Sequence, residues 1–281
     1  MRLAMQTLGA VAPGLAARAA EALFRTPPAH TPWEGASALL STAAPAPFLV
    51  RGGPVPAWTW GDGEPVLLVH GWGSRGARLG SFVAPLIAAG HQVIAFDAPG
   101  HGESAVRRSS LPEFIFAIEA AQRIHGPFAA IVGHSLGGAA TVLAMARGVR
   151  AERAVLLAPA SNPAGYTRRF AEILGIGDRV RERMEARIVR RFGLQWAEFD
   201  VLEAARGLSA PLLVFHDEED LEVPWSEGSA IARAWPGAEL VTTRGLGHRR
   251  IVHDPAVVAR AVEFLSDRAE SRLALRHGSP A

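Results

Sequence analysis

The segment Gly133-His134-Ser135-Leu136-Gly137 constrains this chain more than any other. An apolar run, Phe128-Ala129-Ala130-Ile131-Val132, enters it, and an alanine-rich stretch from about Ala139 to Arg147 leaves it. A serine between a strand and a helix needs a sharp turn, and a sharp turn needs small neighbours; Gly133, Gly137 and Gly138 supply them. The start of the following helix directs backbone N–H groups toward negative charge developing near the serine. Ser135 is therefore the candidate nucleophile.

The rest of the chain repeats the strand–helix rhythm. Pro65 to Val69 is almost continuously apolar, as expected of a parallel strand covered on both faces. Further strands are expected at Gln92–Phe96, Ala154–Ala158, Pro211–His216 and Glu239–Thr243. Helices are expected around 79–89, Pro112–His125, Ser226–Trp235 and Ala256–Leu265. Val55–Trp60 reads as a first edge strand, and the proline-bearing stretch 27–47 as an arm or loop. Such alternation predicts an α/β fold, a mostly parallel central sheet flanked by helices on both faces. Ligands of such sheets bind at the carboxyl ends of the strands.

Residues 160–207 break the rhythm. They look helical, with many arginines among Phe170, Ile173, Leu174, Met184, Ile188 and Phe192, and read as an inserted helical cap with a solvated arginine face. The expected organisation is thus an N-terminal helix and arm over 1–54, a core over 55–159 and 208–267, the small helical cap over 160–207, and a polar tail over 268–281. Residues 1–17 could pass for a signal peptide, but helical spacing continues through Glu21 and Phe24 and favours a helix on the surface or against the cap. No apolar run approaches a membrane span, so integral membrane association is not expected.

Lys and Arg number 29 against 27 Asp and Glu, a formal charge of +2, and no nucleic-acid-binding motif is visible. Nucleic acid is therefore not an expected partner. Cysteine is absent, which rules out disulfide and thiol chemistry and points to a reducing, cytoplasmic location.

A serine is a weak nucleophile without a base. Of the ten histidines, His248 is best placed, in a glycine-bearing loop after the last strand. His134 is expected to point away from the serine beside it, and His101 to shape the site. The imidazole needs a carboxylate to fix its tautomer. Asp220 is preferred within Asp217-Glu218-Glu219-Asp220, with Asp217 and Glu219 as rivals. The order Ser135…Asp220…His248 suits a sheet of this kind. Two backbone donors would hold a tetrahedral oxyanion: the N–H of Leu136 and that of Trp72 in His70-Gly71-Trp72-Gly73, whose indole could also wall a pocket. No zinc or dinucleotide motif appears, so neither metal nor cofactor is expected.

Taken together, His70-Gly71-Trp72-Gly73, Asp97-Ala98-Pro99-Gly100-His101-Gly102-Glu103-Ser104, Gly133-His134-Ser135-Leu136-Gly137-Gly138, and Asp220-Leu221-Glu222-Val223-Pro224 with Gly247-His248 resemble the α/β-hydrolase family over roughly 55–266. The resemblance implies that the acid before x-x-Val-Pro is the triad carboxylate, which supports Asp220. It also implies a serine hydrolase acting on an ester-like small molecule through an acyl-enzyme. Thioesterase, peptidase-like and carbon–carbon hydrolase chemistry remain alternatives, as does a non-catalytic binding protein on the same fold. Substrate identity and oligomeric state are not legible.

Overall fold

A computed structural model describes residues 1–28 and 35–267. Pro32 of the expected arm and the polar tail lie outside these residues. Ten strands are described: β1 (Ala44–Pro45), β2 (Phe48–Val50), β3 (Gly53–Val55), β4 (Ala57–Trp60), β5 (Glu64–Val69), β6 (His91–Phe96), β7 (Phe128–His134), β8 (Ala151–Leu157), β9 (Leu212–Asp217) and β10 (Glu239–Thr243). Early helices are α1 (Arg2–Val11), α2 (Pro13–Phe24), α3 (Ala36–Ser41), α4 (Val83–Ala88), α5 (Leu111–His125) and α6 (Leu136–Ala146). Later ones are α7 (Pro163–Leu174), α8 (Asp178–Phe192), α9 (Val201–Arg206), α10 (Trp225–Ala234), α11 (Gly247–Arg250) and α12 (Pro255–Ser266).

Eight strands form one sheet in the order β1-β4-β6-β5-β7-β8-β9-β10. Its first two pairings are antiparallel and the remainder parallel. The continuous apolar runs follow from burial on both faces. Leu67 and Val69 of β5 join a cluster with Phe114, Ile118 and Val142 of α5 and α6. Val66 and Leu68, pointing the other way, join Phe82, Leu86, Val257 and Ala261. Side chains alternate along a strand, so one short segment seeds two cores.

Three expectations change in detail. The edge strand is divided at Pro56, which has no N–H to give a ladder; its carbonyl accepts Asp97 N–H at 2.9 Å. Val55 closes a small hairpin of β2 and β3, while Ala57–Trp60 enters the main sheet, and Ala44–Pro45, from the presumed loop, forms the edge. The helix around 79–89 is a 3-10 turn over Gly76–Phe82 followed by α4. His248 lies in the single helical turn α11 rather than in an open loop.

Residues 163–206 carry helices and no strand. The N-terminal helices pack on them: Met5, Ala16, Ala17 and Ala20 share a cluster with Ala171, Leu174, Val180, Met184 and Ile188. Alanines at i, i+1 and i+4 let α2 lie close to α8. At this contact two residues of the arginine run, still partly exposed, also serve as ion-pair partners. Glu21 of α2, only 3% exposed, receives Arg187 at 2.7 Å and Arg191 at 3.0 Å, with Arg25 at 3.6 Å. Burial alone would raise the Glu21 pKa; the two α8 guanidiniums reverse this and hold it below the ordinary carboxylate value. Among the described residues no helix is long and apolar enough to cross a membrane.

Candidate active site

Ser135 occupies the turn between β7 and α6 with φ 55° and ψ −121°, a conformation costly for a residue bearing Cβ. Its backbone fixes the turn to the neighbouring strand: its N–H donates to Leu157 O at 3.0 Å, and its carbonyl accepts from Gly138 N–H and Ala160 N–H. The flanking glycines are required by close approach. A Cβ on Gly137 would stand 2.4 Å from the carbonyl oxygens of both Val69 and His70. One on Gly71 would come within 2.8 Å of Ser135 Cβ, so the His70–Gly73 segment runs directly past the serine. Trp72 in that segment lines the cavity described below, and its indole meets the His101 ring edge-on at 5.0 Å.

His70 holds this segment in place. It is fully buried; Ala98 N–H donates to its Nε2 at 3.0 Å, so Nδ1 carries the proton and donates to Gly71 O at 2.7 Å. Asp97 ties the adjoining loops together by accepting Gly76 N–H and Glu103 N–H, each at 2.7 Å. Asp97 belongs to the turn expected to shape the site, and His70 to the segment expected to supply an oxyanion donor.

The structure brings Ser135, His248 and Asp220 together. Asp220 Oδ2 lies 2.7 Å from His248 Nδ1, and His248 Nε2 lies 2.9 Å from Ser135 Oγ. Because a carboxylate accepts, Nδ1 bears the proton; Nε2 is left bare to accept from the serine hydroxyl. The other Asp220 oxygen accepts the N–H groups of Glu222 and Val223 at 2.8 and 2.9 Å. Burial pushes the Asp220 carboxyl upward, but hydrogen bonds from His216, His248 and Val223 N–H outweigh it and hold the group well below the usual carboxylate range. Asp220 is therefore ionised wherever the protein is folded at ordinary pH.

The rival acids lie in other arrangements. Asp217 accepts Glu219 N–H, Thr243 Oγ1–H and Leu246 N–H, bracing β9 and β10 to the segment that carries His248. Glu219 donates its own backbone N–H to Asp217 and is not bonded to His248 among the described residues.

His134, expected to point away from the serine, is directed at the backbone of His248. Its ring lies 4.8 Å from that of His248, and its Nε2–H donates to the His248 carbonyl at 3.0 Å. Burial, aided by the charges of His248 and Arg78, pushes its pKa down to about 3. It is thus a neutral donor that clamps the backbone of the histidine facing Ser135. Nothing in G-x-S-x-G patterning reveals this, because the contact joins residues 114 positions apart.

The serine opens into a cavity of about 740 Å³. Its walls come from the core (Trp72, Leu136, Val223), from the 163–199 helices (Phe170, Trp196, Phe199) and from α2 and the residues after it (Leu23, Phe24, Pro28). Sequence reading missed the last contribution. Among the described residues, no cluster of three or more His, Cys, Asp or Glu side chains is arranged to hold a metal ion.

A mostly parallel sheet covered on both faces, with a serine on a strand–turn–helix corner at its carboxyl edge, defines the α/β-hydrolase class of fold. The pattern described as the alpha/beta hydrolase family matches residues 66–261, and the chain belongs to that family of enzymes. It is similar to a Drosophila melanogaster protein named "Probable serine hydrolase", 37% identical over 101 residues that make up 32% of this chain and 30% of that relative. The chain therefore spans under a third of the length of this curated relative. Among solved structures it resembles an esterase from Exiguobacterium antarcticum, with a TM-score of 0.62, 14% identity, and coverage of 80% of this chain and 100% of that one. It also resembles a monoacylglycerol lipase of Paleococcus ferrophilus, with a TM-score of 0.59, 22% identity, and coverage of 75% and 98%. At these identities the structural likeness is one of fold.

Proposed function

We propose that the protein is a serine hydrolase that cleaves a carboxylic ester of a small or medium acyl substrate through an acyl-enzyme. The observation that carries this reading is the unbroken hydrogen-bond line from Asp220 through His248 to Ser135, ending at an apolar-walled cavity. In this mechanism Ser135 Oγ attacks the ester carbonyl while His248 Nε2 takes its proton. Asp220 keeps the proton on Nδ1 and stabilises the imidazolium. The backbone N–H groups of Leu136, at the start of α6, and Trp72, in the segment passing the serine, receive the oxyanion. His248 then protonates the leaving alcohol. Water, activated by the same nitrogen, attacks the acyl group, and collapse releases the acid and restores Ser135.

The helices over 160–207, together with the end of α2, serve as a cap that encloses the acyl chain. Phe24, Phe170, Trp196 and Phe199 around the cavity support an apolar acyl group. The near-neutral charge and the absence of cysteine support a small-molecule substrate and a cytoplasmic setting.

The test is fluorophosphonate labelling combined with p-nitrophenyl esters of rising chain length. Ser135→Ala is expected to lose labelling and turnover, and Ser109→Ala to retain both. A wild-type protein that neither labels nor turns over any ester or thioester would end the proposal.

A further inference from the structure

Building on the hydrolase reading, we infer that the cavity beside Ser135 selects a substrate carrying an anionic group, a carboxylate or phosphate, which Arg78 receives. Arg78 lies in the 3-10 turn after the His70–Gly73 segment and lines the same cavity as Ser135, His134 and His248. It is half-buried, yet among the described residues no carboxylate pairs with it. One of its five N–H donors reaches the Arg249 carbonyl at 3.4 Å, a long contact that leaves the other donors without a protein acceptor among the described residues.

The electrostatic setting is unfavourable as it stands. Burial lowers the Arg78 pKa, and the like charge of Arg249 lowers it further. Arg249 is itself paired with Glu222 at 2.7 Å, so among the described residues the acid lining this wall is already engaged. Arg78 also presses on His134 and His253, lowering both their pKa values. On the α7 wall Arg169 adds a further cation without an acidic partner among the described residues. Among the described residues, a cavity lining with three arginines and one paired glutamate carries surplus positive charge in the space that Ser135 also lines. An anion seated there would remove the repulsion and gain charge-assisted hydrogen bonds.

A purely structural role for Arg78, bracing α11 through the Arg249 carbonyl, would affect all esters alike. Selection of an anion changes a ratio instead. The test therefore uses matched esters: monomethyl glutarate against its uncharged half-amide methyl ester, and 4-acetoxybenzoate against 4-acetoxybenzamide. These pairs place the charge on the acyl and alcohol sides respectively, and pH-stat titration follows turnover. At low salt the wild type is expected to favour the charged member of at least one pair by about ten- to hundredfold in kcat/KM. Arg78→Gln should bring that ratio close to one, and Arg78→Lys should keep part of it. If Arg78→Gln does not fold, the wild-type ratio should still collapse between about 20 mM and about 500 mM salt. Turnover of the neutral esters with no preference in either pair overturns the anion inference and leaves the hydrolase reading standing. Absence of both turnover and fluorophosphonate labelling overturns both.

Discussion

Each polar residue around Ser135 has a distinct physical task, and substitutions should separate them. Asp220 fixes the His248 tautomer, so Asp220→Asn is expected to preserve the fold while lowering kcat by about 10³–10⁴-fold, as loss of the orienting carboxylate does in such triads. Steady-state kinetics on the best p-nitrophenyl ester would measure this; a loss below tenfold would move the acid role elsewhere. His134 leads to a different experiment. Its folded pKa, about 3, lies far below the ordinary histidine value, so the unfolded chain binds the extra proton between about pH 6.5 and pH 3. Stability from this group is fully present above pH 6.5 and lost as pH falls, by up to about 1.4 kcal/mol per pH unit. Urea midpoints at pH 7 and pH 5 should therefore diverge more in wild type than in His134→Gln. Equal slopes would show that the imidazole does not titrate between the two states.

At the scale of elements, Glu21 anchors α2 to α8 through two guanidiniums that are partly exposed, so solvent screening discounts their Coulomb attraction. Glu21→Ala removes the partner shared by Arg187 and Arg191, while Arg25 keeps its bond to Glu113. A stability loss of about 1–3 kcal/mol is expected, read as a lower denaturant midpoint, with Glu21→Gln losing less. This seam also marks the boundary of what could be read from sequence. β5, β7, β8 and β9 were legible because burial on both faces writes a continuous apolar run. Ser135 and Asp220 could be singled out because each follows such a run, whereas His248 follows the half-exposed β10 and was singled out by its glycine-bearing segment. The division at Pro56 was within reach of sequence reasoning, since proline cannot feed a ladder. The Glu21–Arg187 pair was not: its partners are 166 residues apart, and neither residue type in a helix announces a partner.

For the molecule as a whole, the two clusters on either side of the sheet share the same strands, so damage on one face should reach the other. Leu67→Ala, in a fully buried position at the centre of β5, is expected to cost about 2–5 kcal/mol. Circular dichroism and tryptophan fluorescence should lose structure in one coincident transition. Separate transitions would mean that the faces unfold independently.

The cavity wall contributed by Leu23, Phe24, Thr26 and Pro28 has a thermodynamic corollary. Any molecule that fills the space beside Ser135 also rests on α2, and so holds residues 1–28 against the remainder of the chain. Reciprocity then requires that whatever loosens those residues weaken occupancy by the same factor. Backbone amides of α2 should thus exchange with deuterium more slowly when a bound molecule fills that space. The first two dozen residues would then report, from a distance along the chain, whether the cavity is filled.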